Sequence, residues 1–268
     1  MRKLAVLAFA ATFAAGAELG SIVNSWDGIY YHHSQWVYPL GVTCDDAGYV
    51  WVVYADNIVK RRPSDGSVVA SFSLTTGSFG WSLGYDEARK HLYFGSYWDD
   101  IYVRSALTGE DITHFPPPPD YAVSALDYDD THPTSPLWYA TVNRDYLCVA
   151  TSTGSVVRTV KQPFGTAVIH GLAYNDDSPG GPYLFVGARW GPPKIFALNP
   201  TTGSVCYSFD VDMFDCSLQG LGWDGEYLWA TDNIDGSPTA GYVFRFVAWR
   251  ADVGVQPASL GEIKALFR

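Results

Sequence analysis

Short apolar and aromatic runs alternate with clusters of Gly, Asp, Asn and Thr along most of the chain, and the alternation recurs as a long-period repeat. The clearest unit runs Gly220-Leu221-Gly222-Trp223-Asp224-Gly225-Glu226-Tyr227-Leu228-Trp229-Ala230-Thr231. Relatives of it begin at Gly171-Leu172-Ala173-Tyr174-Asn175, Ala125-Leu126-Asp127-Tyr128-Asp129, Ser82-Leu83-Gly84-Tyr85-Asp86 and Gly41-Val42-Thr43-Cys44-Asp45. Each is followed by a second apolar run, such as Tyr183-Leu184-Phe185-Val186 or Val50-Trp51-Val52-Val53. The anchors Asp45, Asp86, Asp129, Asn175 and Asp224 are spaced by 41, 43, 46 and 49 residues.

Every copy continues with a third short strand, for example Ile58-Val59-Lys60-Arg61, Ile101-Tyr102-Val103-Arg104 or Tyr242-Val243-Phe244-Arg245. In four copies a turn and a fourth strand follow. The turns are Asp65-Gly66, Thr108-Gly109, Thr153-Gly154 and Thr202-Gly203, where glycine suits the positive φ of a tight hairpin. Four short strands per unit is the signature of a β-propeller blade. The last copy has no fourth strand after Phe246-Val247, but Gly20-Ser21-Ile22-Val23-Asn24-Ser25-Trp26 matches Gly66-Ser67-Val68-Val69-Ala70-Ser71-Phe72 almost position by position. The pattern therefore predicts an all-β, five-bladed propeller over residues 18–247, with four-stranded antiparallel blades. The N-terminal strand completes the last blade and leaves fewer exposed sheet edges. Five units give about 46 residues per blade, whereas six would give about 38, short for a propeller.

Both ends of the chain read differently. Arg2 and Lys3 precede the apolar run Leu4 to Ala15, and Ala15-Gly16-Ala17 has the small-x-small pattern of a signal-peptidase site. Residues 1–17 are expected to be a cleaved signal peptide, because the run falls short of the roughly 20 apolar residues a spanning helix needs. The alternative is a buried N-terminal helix. A signal peptide implies a secreted or periplasmic protein without membrane insertion. In the tail, residues 248–268, Ser259-Leu260-Gly261-Glu262 fits a capping box, and Leu260, Ile263, Leu266 and Phe267 would share one face of a short helix. That face would lie on the propeller itself or serve a partner.

The formal net charge is −11, which disfavours nucleic acid and anionic lipid as partners. Of the four cysteines, Cys206 and Cys216 are close enough in sequence to pair in an oxidising compartment, and Cys44 and Cys148 read as buried thiols. No CxxC, Walker A or H-E-x-x-H motif occurs, so no cofactor and no metal is expected. The acidic pairs Asp99-Asp100, Asp129-Asp130 and Asp176-Asp177 lack the spacing of a calcium loop and read as solvated turns. The series Tyr85, Tyr128, Tyr174 and Trp223 reads as packing between neighbouring blades.

The chain resembles the secreted repeat propellers of the YncE-like and quinoprotein-like superfamily through Asx-x-x-Thr-Gly outer turns such as Asn199-Pro200-Thr201-Thr202-Gly203. That resemblance covers nearly all of residues 18–247 and implies architecture rather than activity. Gln219-Gly220-Leu221-Gly222-Trp223, followed by Tyr227-Leu228, also resembles a motif of the five-bladed glutamine cyclotransferases of bacteria and plants. This resemblance implies cyclisation of N-terminal glutamine and a carboxylate at an equivalent inner-strand start. Here those starts read Leu40, Ser82, Ser124, His170 and Gln219, with no Glu among them.

A propeller ligand would meet those residues and the loops after each second strand, at the mouth of the axis. The candidate binding residues are His170, Gln219, Trp98, Arg189, Trp190, Asp232 and Asn57. Residue type varies at these positions while the rest of the repeat is regular, and variation at one end of a regular scaffold is how binding surfaces arise. The alternative is that these groups cap strands in a narrow channel. The expected function is a monomeric, non-catalytic scaffold that binds a small polar ligand, a glycan or a protein. Glutamine cyclotransferase activity and glycan stacking on Trp98 and Trp190 are the alternatives.

Overall fold

The computed structural model describes residues 19–28, 30–32, 35–37, 39–74, 80–96, 100–117, 122–142, 144–162, 168–177, 180–188, 194–211, 217–233 and 241–248. Residues 1–18, where the sequence suggests a signal peptide, residues 249–268 of the tail, and Trp98, Arg189, Trp190 and Cys216 lie outside them. The chain opens with β1 (Ile22–Asp27) and a small antiparallel hairpin, β2 (Tyr30–His32) with β3 (Gln35–Val37). Blade one is β4 (Val42–Cys44), β5 (Val50–Val53), β6 (Asn57–Arg61) and β7 (Val68–Ser73). Blade two is β8 (Gly80–Asp86), β9 (His91–Ser96), β10 (Ile101–Ser105) and β11 (Asp111–Phe115). Blade three is β12 (Val123–Tyr128), β13 (Leu137–Thr141), β14 (Tyr146–Ala150) and β15 (Val156–Lys161). Blade four is β16 (Ile169–Asn175), β17 (Tyr183–Ala188), β18 (Lys194–Leu198) and β19 (Val205–Asp210). Blade five is β20 (Ser217–Trp223), β21 (Leu228–Asn233) and β22 (Gly241–Phe246), completed by β1.

The fold is thus the expected five-bladed propeller, and β1 pairs antiparallel with β22, Ile22 opposite Phe246 and Trp26 opposite Val243. Two flanking backbone bonds extend the closure, Gly20 N–H to Val247 O at 2.8 Å and Gly28 N–H to Gly241 O at 3.0 Å. The β2–β3 hairpin sits in the connection from β1 to blade one, and the repeat gives no hint of it.

The turn glycines explain why the closing strand begins where it does. Gly66, Gly109, Gly154, Gly203 and Gly20 all have φ between +70° and +84°. Each lies against the outer strand of the preceding blade, and a Cβ on them would fall 2.6 Å from Trp26, 2.4 Å from Phe72, 2.2 Å from Phe115, 2.6 Å from Val160 and 3.3 Å from Phe209. Glycine is required twice over here, for the left-handed backbone and for the close approach. Gly20 is the fifth member of this set, so the N-terminal strand occupies an outer-strand place in every respect.

The core lies between blades. Tyr128 stacks on Tyr93, Tyr174 on Trp138 and Trp223 on Phe185, with centroids 4.8, 6.1 and 6.0 Å apart. In each pair the ring of one blade rests on the blade before it, which is the packing role expected for this series. Blade one has the small Cys44 at the same place, beside Trp229 and Trp26, whose centroids are 6.3 Å apart. Cys206 is a free thiol, and Cys216, the partner its spacing allowed, lies outside the described residues. Among the described residues no helix is long and apolar enough to cross a membrane.

Candidate functional site at the axial bulges

Successive strands of a blade are antiparallel, so the inner strands all start at one end of the axis and finish at the other. At the starting end each inner strand carries one extra residue. Gly80 faces Ser96 while Ser82 faces Gly95, which makes Trp81 the extra residue. The same slip leaves out Ser124, His170 and Gln219 in blades three, four and five. In blade one Leu40 N–H donates to Val53 O and Val53 N–H donates to Gly41 O, so Leu40 is the extra residue there. A β-bulge of this kind turns a side chain out of the normal alternation and re-aims it.

The residue after each bulge is small: Gly41, Ser82, Ala125, Gly171 and Gly220. The inner strands come too close for more. A Cβ on Gly41 would lie 2.7 Å from Ser82 Cα, and one on Gly220 would lie 2.7 Å from Leu40 O. This fixes the phase of blade two and corrects the sequence reading by one position. The counterpart of His170 and Gln219 is Trp81, and Ser82 is the small residue behind it. The signal was present, since Ser82 aligns with the glycines at 41, 171 and 220.

Three bulge residues from three blades meet. The Trp81 indole N–H lies 3.1 Å from His170 Nδ1, although blade three separates their strands in sequence. Gln219 Oε1 lies 3.1 Å from the same Nδ1. The indole and imidazole rings are 5.3 Å apart and nearly perpendicular. His170 and Gln219 are buried, whereas Trp81 is half-buried and reachable from outside. Nearby Thr231 donates its hydroxyl to Leu40 O, tying blade five to blade one. The buried hydroxyls of Ser82 and Ser124 have no hydrogen-bond partner.

Of the other candidate residues, Asp232 is fully buried on β21, opposite Leu218. Asn57 is buried within blade one, where its amide donates to Asp56 Oδ1 at 3.2 Å and its carbonyl accepts from Ser71 at 3.4 Å. His170 and Gln219 are therefore brought together, Asn57 is held inside its own blade, and Trp98, Arg189 and Trp190 lie outside the described residues. Farther down the axis, Asp127 accepts the Tyr174 backbone N–H at 2.6 Å, joining blades three and four. Burial pushes its carboxyl up to about 8 against the pull of its backbone hydrogen bonds. Among the described residues no three His, Cys, Asp or Glu side chains gather where they could hold a metal ion.

No family model matches the chain, and no curated protein sequence matches it. Solved structures do. Glutaminyl cyclase from Myxococcus xanthus superposes with a TM-score of 0.65 at 11% identity, over 84% of this chain and 94% of that one. A catalytically inactive virginiamycin B lyase from Staphylococcus aureus, solved with quinupristin, gives a TM-score of 0.48 at 18% identity over 78% and 66% of the two chains. At 11% identity the likeness to the glutaminyl cyclase is one of fold.

Proposed function

We propose that this protein is an exported, non-catalytic propeller that recognises a small polar ligand at the bulge end of its axis. The observation that carries the reading is the Trp81–His170–Gln219 cluster. It joins three blades through a repeat position whose residue type changes from blade to blade. A half-buried indole above buried polar groups is the usual make-up of a small-ligand site, with an apolar face to stack on and a few fixed hydrogen-bonding groups.

The test is calorimetric titration of the mature protein with a panel of neutral sugars and short peptides. A ligand is expected whose binding disappears in Gln219→Ala and in Trp81→Ala. Binding that survives both substitutions places recognition elsewhere and overturns the reading. Export is checked by N-terminal sequencing of protein recovered outside the cytoplasm, which should begin at Glu18.

A second reading is glutamine cyclotransferase chemistry, favoured by the imidazole of His170 lying against Gln219. His170 would carry the proton that the related enzymes assign to a carboxylate, since none of the five bulge residues is acidic. Ammonia release from a Gln-initiated peptide, abolished in His170→Ala, would establish it. Release no faster than in buffer removes it.

A further inference from the structure

The contacts at His170 cannot all hold at once. An imidazole Nδ1 offers either one lone pair or one N–H. The Trp81 indole N–H at 3.1 Å requires the lone pair. The Gln219 carbonyl oxygen, also at 3.1 Å, requires the N–H. The indole can only donate, so it cannot adapt.

We propose that Trp81 is a gate on the axial site and that a proton on His170 Nδ1 releases it. With Nδ1 unprotonated, the imidazole accepts from Trp81 and the indole is held across the axis. When Nδ1 takes a proton from solvent, it donates to Gln219 instead, and the indole loses its acceptor. Trp81 is the half-exposed member of the cluster and His170 a buried one, so release of the indole uncovers the imidazole. Gln219 is the positioning residue: it supplies the acceptor that makes the protonated state favourable.

The groups around His170 allow this. β8 and β20 bring Trp81, Ser82 and Gln219, none of which titrates. β12 carries Asp127, whose carboxyl burial keeps protonated at neutral pH, and β21 carries the buried Asp232. Among the described residues these strands bring no cation beside His170, and Arg144 lies on the loop between β13 and β14 at the same end. Only the consequence for ligand access rests on the binding reading, because the switch can be measured without a ligand.

The experiment is side-chain ¹⁵N NMR of the full-length mature protein between about pH 8 and about pH 5, the range in which histidine ordinarily titrates. The Trp81 indole signal is identified by its loss in Trp81→Phe, and the protonation of His170 is read from its own ring nitrogens. The expected result is that exchange protection of the Trp81 N–H drops about tenfold as His170 titrates, against no change for Trp229. In Gln219→Leu the midpoint should move to lower pH, and in Gln219→Glu to higher pH. Protection of Trp81 that stays level through the His170 titration overturns the proposal, as does an unchanged midpoint in Gln219→Leu. Should Gln219→Leu not fold by circular dichroism, Gln219→Met takes its place with the same criterion.

Discussion

The two ends of the inner strands follow different rules. At the far end each strand finishes in an Asx turn. Asp45, Asp86, Asp129, Asn175 and Asp224 each accept a backbone N–H two to four residues on, at 2.7–3.1 Å. Blades one and five elaborate the turn alike. Trp51 and Trp229 donate their indole N–H to the second oxygen of Asp45 and Asp224 at 2.9 and 2.7 Å, and Lys60 and Arg245 bind the same oxygens. At the near end the five bulges share backbone geometry and nothing else, carrying Leu40, Trp81, Ser124, His170 and Gln219. A position whose residue is dictated by its own hairpin repeats. A position whose side chain projects beyond the blade is released from that constraint and can be given over to recognition.

The comparison yields predictions of decreasing size. The largest effect belongs to neither end but to the closure both depend on. Removing residues 18–26 should strip β22 of its outer partner and cause aggregation, visible by size-exclusion chromatography. A monomer of near-native stability after that deletion would mean the ring closes some other way.

At the regular end, Asp224→Ala removes the acceptor of two backbone N–H groups, the indole partner and the counter-charge of Arg245 together. A loss of about 3 kcal/mol is expected, from leaving several partly buried donors unpaired. That is a fall in Tm of roughly 5–10 °C for a domain of this size. A fall no larger than that caused by an exposed-turn substitution would show that this end is not set by its hairpins.

Between the ends, Asp127 has a pKa raised from the ordinary carboxylate value to about 8. The folded state then holds a proton that the unfolded chain has lost. Stability should therefore decline as pH rises from about 4 to about 8 and level off above that. Asp127→Asn keeps an oxygen for the Tyr174 N–H and has no charge to bury. By denaturant unfolding at pH 5, 7 and 9, its advantage over the wild type should grow to the order of a few kcal/mol by pH 9. Parallel curves would exclude the raised pKa.

The smallest effect belongs to the bulge end. Ser124→Ala deletes a buried hydroxyl that has no partner, so stability should change by less than about 1 kcal/mol, in the stabilising direction. A large loss would place Ser124 in a structural hydrogen bond and weaken the contrast between the two ends.

Blade number, closure and the aromatic packing were legible in the sequence, because each depends on a residue type that one local geometry demands. Gly20 before Ser21-Ile22 reads like Gly66 before Ser67-Val68, since both must take positive φ against an aromatic neighbour. The site was legible only in part. His170 and Gln219 stand immediately before a glycine, which marks the bulge. In blade two the corresponding small residue is Ser82, and with Gly80 just ahead the extra residue is easily placed one position late. The meeting of Trp81 with His170 spans an intervening blade and 89 residues, and no local pattern encodes a contact across the axis. Asn57, read at the mouth from its place after a second strand, bonds Asp56 and Ser71 of its own blade, contacts that no repeat pattern encodes.

The pairing of β1 with β22 makes the chain indivisible. In an open array of repeats, a fragment is a shorter version of the whole, and each unit can settle as soon as its neighbour exists. Here the sheet that finishes the ring joins Ile22 to Phe246, so the first strand to be made waits for the last. Such a distant pairing is slow to find and all-or-none once found. A piece of this protein is therefore not a partial propeller. Nor can a blade be gained or lost at one end alone, because the unit that would have to be copied is itself shared between the beginning and the end of the chain.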